Sequence, residues 1–120
     1  TEKSIEINVC NAVISYSENN VFDFIGFPFL LRIGVDEPFE ETRKKIAKAV
    51  KWNSEKVNHI RFYLGNENDP FDKDKVLKKG QKIGELIKVE KGDRLILIHP
   101  SEDAYRDDYS NRNSGVQINT

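Results

Sequence analysis

The chain has 120 residues, 32% of them charged and 38% apolar, with a formal net charge of −1. That is enough chain for one domain with one core, and no global field points to nucleic acid or to an acidic surface. No apolar run is long enough to cross a membrane, and no signal peptide opens the sequence.

A single cysteine, Cys10, cannot form an internal disulfide, which fits a reducing compartment, cytoplasm or nucleus. Methionine is absent even at position 1, so the chain reads as a piece of a longer protein. The first segment, SIEINVCNAVISYSE, is rich in β-branched residues. Ile5, Ile7 and Val9 alternate with polar neighbours, then Ile14 and Tyr16 do so in the opposite phase. The slip around Cys10-Asn11 predicts a bulge. A second strand, FPFLLRI, follows Gly26, with residues 17 to 26 as a long hairpin connection.

The period then changes. Asp36 is a candidate N-cap, Pro38 falls in the first turn, and FEETRKKIAKAVK follows with Phe39, Thr42, Ile46, Ala49 and Val50 on one apolar stripe. Glu37, Glu40 and Glu41 lie near the positive end of the helix dipole. Arg43, Lys44, Lys45, Lys48 and Lys51 fill the later turns, the favourable order. Arg43, Lys44, Lys48 and Lys51 form a candidate interaction face for an acidic or phosphate-bearing partner, although such a run is more commonly a solvated surface. VNHIRFYLG alternates Ile60, Phe62 and Leu64 against His59, Arg61 and Tyr63, a third strand. NENDPFDKD reads as an acidic, solvated loop, and Leu95 to Ile98 form a last strand ended by Pro100.

Two strands, one amphipathic helix and further strands give an α+β fold of the β-grasp type, a mixed sheet crossed by one helix, with the last strand central beside the first. The domain spans residues 1–100. Residues 101–120 carry no periodicity and read as a flexible C-terminal tail.

Catalytic chemistry is not expected of this chain. Cys10 sits in a strand pattern, and His59 and His99 are placed on strands, without the Cys–His arrangement that a thiol protease requires. Two histidines and one cysteine without close pairing do not make a zinc site, and no phosphate loop or calcium loop is present, so no cofactor and no metal are expected.

The closing segment resembles ubiquitin in Gly80, Ile83, Glu85-Leu86, Val89, Gly92-Asp93 and the alternating Leu95 and Leu97. The chain ends Asn119-Thr120, not in the glycine pair of a conjugated modifier. Residues 20 to 50, NVFDFIGFPFLLRIGVDEPFEETRKKIAKAV, resemble the last ubiquitin-like domain of the herpesvirus-associated ubiquitin-specific protease family. The matching positions are Val21-Phe22, Gly26 through Ile33, and Lys44-Lys45-Ile46. Val116-Gln117-Ile118 falls where that family carries an isoleucine–basic–isoleucine triplet, and Tyr109 where its tyrosine lies. Glutamine replaces the central basic residue and EDAYRDDY is acidic where the family is basic, departures that imply a distant, fungal member.

The resemblance implies a non-catalytic domain of a deubiquitinase whose thiol protease domain lies upstream. It further implies that the tail docks on that catalytic domain, with Val116, Ile118 and Tyr109 as anchors, and activates it. The implied partners are the catalytic domain of the same protease, an adjacent ubiquitin-like domain and, indirectly, ubiquitin-conjugated substrates, with no nucleic acid and no membrane. The alternative is a stand-alone β-grasp interaction module that recruits a partner through its sheet or its basic helix face.

Overall fold

In the computed structural model, which describes residues 3–66 and 68–105, β1 (Ser4–Ser15) and β2 (Val21–Gly34) form a long antiparallel hairpin. The turn between them is a 3₁₀ segment, Tyr16–Glu18, followed by Asn19 and Asn20 at φ 64° and 62°. Asparagine tolerates this left-handed backbone, so the chain reverses in a few residues. The connection is therefore shorter than the expected 17 to 26, and β2 begins at Val21 rather than after Gly26.

The reason lies at the bulge. Between the pairs Val9↔Phe29 and Asn11↔Ile25, β1 advances two residues while β2 advances four. The extra residues belong to β2, at Gly26-Phe27-Pro28, with Gly26 at φ +67°. β1 itself runs on without a slip, paired in parallel from Val9↔Leu95 to Ala12↔Ile98. Its apolar residues change phase because the buried side changes: Ile7 and Val9 pack on the helix side, Ala12 and Ile14 on the other.

α1 (Phe39–Val50) crosses the first of these faces. Pro38, not Asp36, occupies its N-cap position: Gly34 O accepts the Glu37 N–H at 3.1 Å to close a turn, so the helix starts later. Phe39, Thr42 and Ile46 are buried, with Ala47 and Val50 packed beside them; Ala49, expected on this stripe, is exposed. The helix stops at Lys51, which takes φ 61° and returns its N–H to Ala47 O. α2 (Ser54–Asn58) follows, capped by Asn53 Oδ1 accepting the Lys56 N–H at 2.8 Å. This short helix takes Val57 and Asn58 out of the expected third strand, and His59 caps its C-terminus in an exposed position.

β3 (Arg61–Gly65), the short helix α3 (Ile83–Leu86) and β4 (Arg94–Ile98) complete the domain. The sheet order is β2-β1-β4-β3, with β4 parallel to β1 and antiparallel to β3. This α+β architecture, a four-stranded mixed sheet with a few helices, is compatible with a β-grasp. Phe39, Ile46, Val57, Ile83, Leu95 and Leu97 are among the residues that fill the core between sheet and helices.

A second, smaller core lies on the other face. Phe71, expected in a solvated loop, is buried there with Tyr63, Ala12, Ile96 and Ile98, and Phe22 packs against them. Its N–H donates to Asn20 O at 2.9 Å, and the Asp72 N–H to the Tyr63 hydroxyl at 3.2 Å, which pins the loop down. Among the described residues, no helix is long and apolar enough to cross a membrane.

Candidate functional site

The tail anchors Val116, Ile118 and Tyr109 lie outside the described residues. The basic helix face lies within them and is only partly free. The half-buried Arg43 guanidinium donates to Asn58 Oδ1, tying α1 to α2. Lys44 stands 3.6 Å from Glu41, and Lys51 is the left-handed residue that ends the helix. Lys48 is exposed in the last turn. Lys45 turns away from this set and pairs with Glu37, whose carboxylate also accepts from the Thr42 hydroxyl at 2.5 Å. Partial burial pushes the Glu37 carboxyl up, but the Lys45 and Thr42 donors outweigh it and hold the group below the ordinary value. Glu37 is thus a side-chain brace for the first turns of α1, which Pro38 cannot cap.

The thiol and the imidazoles do not assemble. Cys10, in register with Ile96, lies across the sheet from Asn11, which is in register with Leu97 and holds His99. Among the described residues, no group of three or more His, Cys, Asp or Glu side chains converges as metal ligands would.

What the fold does bring together is a polar–aromatic cluster at one end of the helix-side face. His99 follows β4 and continues its ladder, donating its N–H to Ala12 O at 2.9 Å. The ring is buried, with Nε2 2.8 Å from Asn11 Oδ1 and Nδ1 without a partner. With the carboxamide oxygen accepting, Nε2 carries the proton and Nδ1 is a bare lone pair. Adding a second proton would bury a charge and an N–H that no acceptor meets. Burial is accordingly the main cause that lowers the imidazole to about 4, helped by the nearby Lys56 ammonium.

Two rings cover the imidazole edge-on, Trp52 at 5.4 Å and Tyr105 at 4.9 Å between centroids. Lys56 lies 5.9 Å above the Trp52 ring and donates to the Ala104 carbonyl at 2.8 Å. Residues 101–105, read from the sequence as the start of a featureless tail, are therefore packed on the domain. The signal was present in SEDAY: a serine followed by two acids is a helix start, and an aromatic closes the turn. Asn11 and Trp52 left no such mark, since the polar residue interrupts a strand pattern and the indole follows a helix end.

Comparison with protein-family models and with curated proteins gives no match.

Proposed function

We propose that the chain is a ubiquitin-like β-grasp domain with a regulatory tail, the non-catalytic C-terminal part of a ubiquitin-specific cysteine protease. Its tail docks on the catalytic domain of the same protein and activates it. One observation carries the proposal: residues 20–50, on which the family resemblance rests, fold as β2 and α1 around a central parallel β1–β4 pair. That arrangement is compatible with a β-grasp and supports the reading.

Activation of this kind is a population shift. A tail that binds the competent arrangement of the catalytic domain better than the idle one raises the active fraction by that differential affinity. In an extended segment Val116 and Ile118 would share one face, and burying both would contribute about 1.5–3 kcal/mol each before ordering costs. A net gain of about 1.4 kcal/mol is a tenfold effect. The adjacent ubiquitin-like domain and the catalytic domain are the implied partners, and conjugated substrates are reached only through the protease. A reducing setting, cytoplasm or nucleus, accords with the free, buried Cys10.

The rival reading, a stand-alone recruiting module, has less surface to use than the sequence implied. The Phe71 loop covers one end of the second sheet face, and Arg43 is tied to Asn58, while Lys44, Lys48 and Lys51 stay exposed.

The test is kinetic and uses the intact protease. Val116→Ala with Ile118→Ala should lower kcat/KM about as much as removal of residues 110–120, whereas Gln117→Ala should change it little. A peptide of the last residues, added in excess to the tail-deleted enzyme, should restore part of the rate, since a free peptide lacks a tether's effective concentration. A double-alanine enzyme that cleaves ubiquitin conjugates like wild type would sink the anchor reading.

A further inference from the structure

Residues 101–105 make contacts of four kinds. Ser101 Oγ accepts the Ala104 N–H at 3.0 Å and Ser101 O the Tyr105 N–H at 3.3 Å, closing one capped helical turn. Lys56 on α2 donates to the Ala104 carbonyl at 2.8 Å. The Tyr105 ring lies edge-on to His99 at the end of β4. Its hydroxyl sits over Gly26 in the β2 bulge, so near that a Cβ on Gly26 would collide with it. A single helical turn has no stability of its own in water, so these contacts are what orders it.

We infer that residues 101–105 are a strap that closes the His99–Trp52 end of the domain and fixes, beside the β2 bulge, the point from which residues 106–120 depart. Three separate elements hold it: α2 through Lys56, the end of β4 through His99, and β2 through Gly26. The missing side chain at Gly26 is the seat for the tyrosine. The strap also keeps water from the imidazole, whose other ring neighbour is Trp52.

A consequence for reach rests on the tail reading proposed above. Measured from Tyr105 rather than from Pro100, the remaining chain spans at most about 50 Å when fully extended, instead of about 65–70 Å. The docking surface for Val116 and Ile118 then lies within that shorter radius of the bulge.

The experiment measures backbone amide exchange and the His99 ring titration by NMR on the 120-residue chain. In the wild type the Ala104 and Tyr105 amides exchange about tenfold or more slower than in an unstructured chain, and His99 titrates at about 4. Tyr105→Ala removes the ring and Gly26→Ala fills its seat; both abolish the protection and move the His99 midpoint up towards 6.5. Gly26→Ala also strains a backbone at φ +67°, so Lys56→Met, which leaves β2 untouched, supplies an independent arm. For that variant the amide exchange alone is read, because losing the ammonium raises the His99 midpoint by itself.

Wild-type amides exchanging at unstructured-chain rates would overturn the strap, as would protection unchanged in folded Tyr105→Ala and Lys56→Met chains. Deleting residues 106–120 from the intact protease separates the two proposals. Protection as expected with an unchanged rate leaves the strap standing and removes the tail reading; a lowered rate with no protection does the reverse.

Discussion

His99 and Asn11, 88 positions apart in the chain, are joined side chain to side chain within the fold, ring Nε2 to carboxamide oxygen at 2.8 Å. Burial pushes this histidine from 6.5 down to about 4, so between those values the unfolded chain binds a proton that the folded one refuses. The His99 contribution to stability is therefore full above about pH 6.5, falls as pH drops through this window, and levels off below about pH 4. The loss is on the order of 3 kcal/mol. Thermal melts from pH 7.5 to 4 should show it. His99→Phe should flatten the slope while lowering stability at neutral pH, because Asn11 loses its partner. A wild-type midpoint constant from pH 7 to 4.5 would contradict this assignment.

Glu37 titrates in a different window. Its carboxyl is held below the ordinary carboxylate value, so the brace it gives Thr42 and Lys45 is present above about pH 4.5 and lost as pH falls further. Glu37→Gln should therefore reduce the acid sensitivity below about pH 4.5, where Glu40 also contributes, and leave the slope above it unchanged. A variant whose slope changes only above pH 5 would show that the brace is not formed.

The phase of α1 can be tested with two charges on opposite sides. Ile46 is fully buried whereas Lys48 is exposed. Ile46→Asp should unfold the domain, since an unpaired buried carboxylate costs on the order of 4 kcal/mol or more, while Lys48→Asp should stay within about 0.5 kcal/mol of wild type. Circular-dichroism melts in which both variants behave alike would show that the helix is rotated.

Two phenylalanines make a similar contrast. Phe71 packs against Tyr63 at 5.3 Å between rings and lies under the Arg61 guanidinium at 4.9 Å, whereas Phe27 is 90% exposed. Phe71→Ala should cost about 3–5 kcal/mol. Phe27→Ser should cost almost nothing. Equal denaturation midpoints for the two would mean that the second core contributes no stability.

The 120-residue chain should not hydrolyse a ubiquitin C-terminal amide, because Cys10 and His99 lie on opposite sides of the sheet. Turnover that Cys10→Ser abolishes would refute this.

The fold was legible wherever one face of an element meets the main core. Ile46, Leu95 and Leu97 announce themselves by period, and the helix and last strand follow from them. Legibility failed where burial switches sides. Phe22 and Phe24 look like loop residues because Gly26 and Pro28 break the alternation, and Phe71 looks solvated because acids surround it. The Tyr105 contact was illegible for a different reason: its partners Gly26, Lys56 and His99 come from three distant parts of the chain, and no local pattern encodes that meeting. Of the site residues proposed from sequence, Arg43, Lys44 and Lys48 lie on the helix and Lys51 at its end; Arg43 is tied to α2 through Asn58, while the three lysines are exposed.

The bulge in β2 has one more effect, on how the molecule behaves in a crowd. A long outer strand with Phe24, Phe27 and Leu30 exposed is the kind of border on which other chains would stack into fibrils. Gly26-Phe27-Pro28 cuts that border into two short runs, Val21 to Ile25 and Phe29 to Gly34, whose hydrogen-bonding groups do not continue one another. Proline offers no N–H to an incoming strand, and Arg32 and Asp23 set a charge in each run. Straightening the border, by deleting two residues of the bulge and replacing Pro28, would leave a strand able to recruit copies of itself, with the folded core intact beneath it.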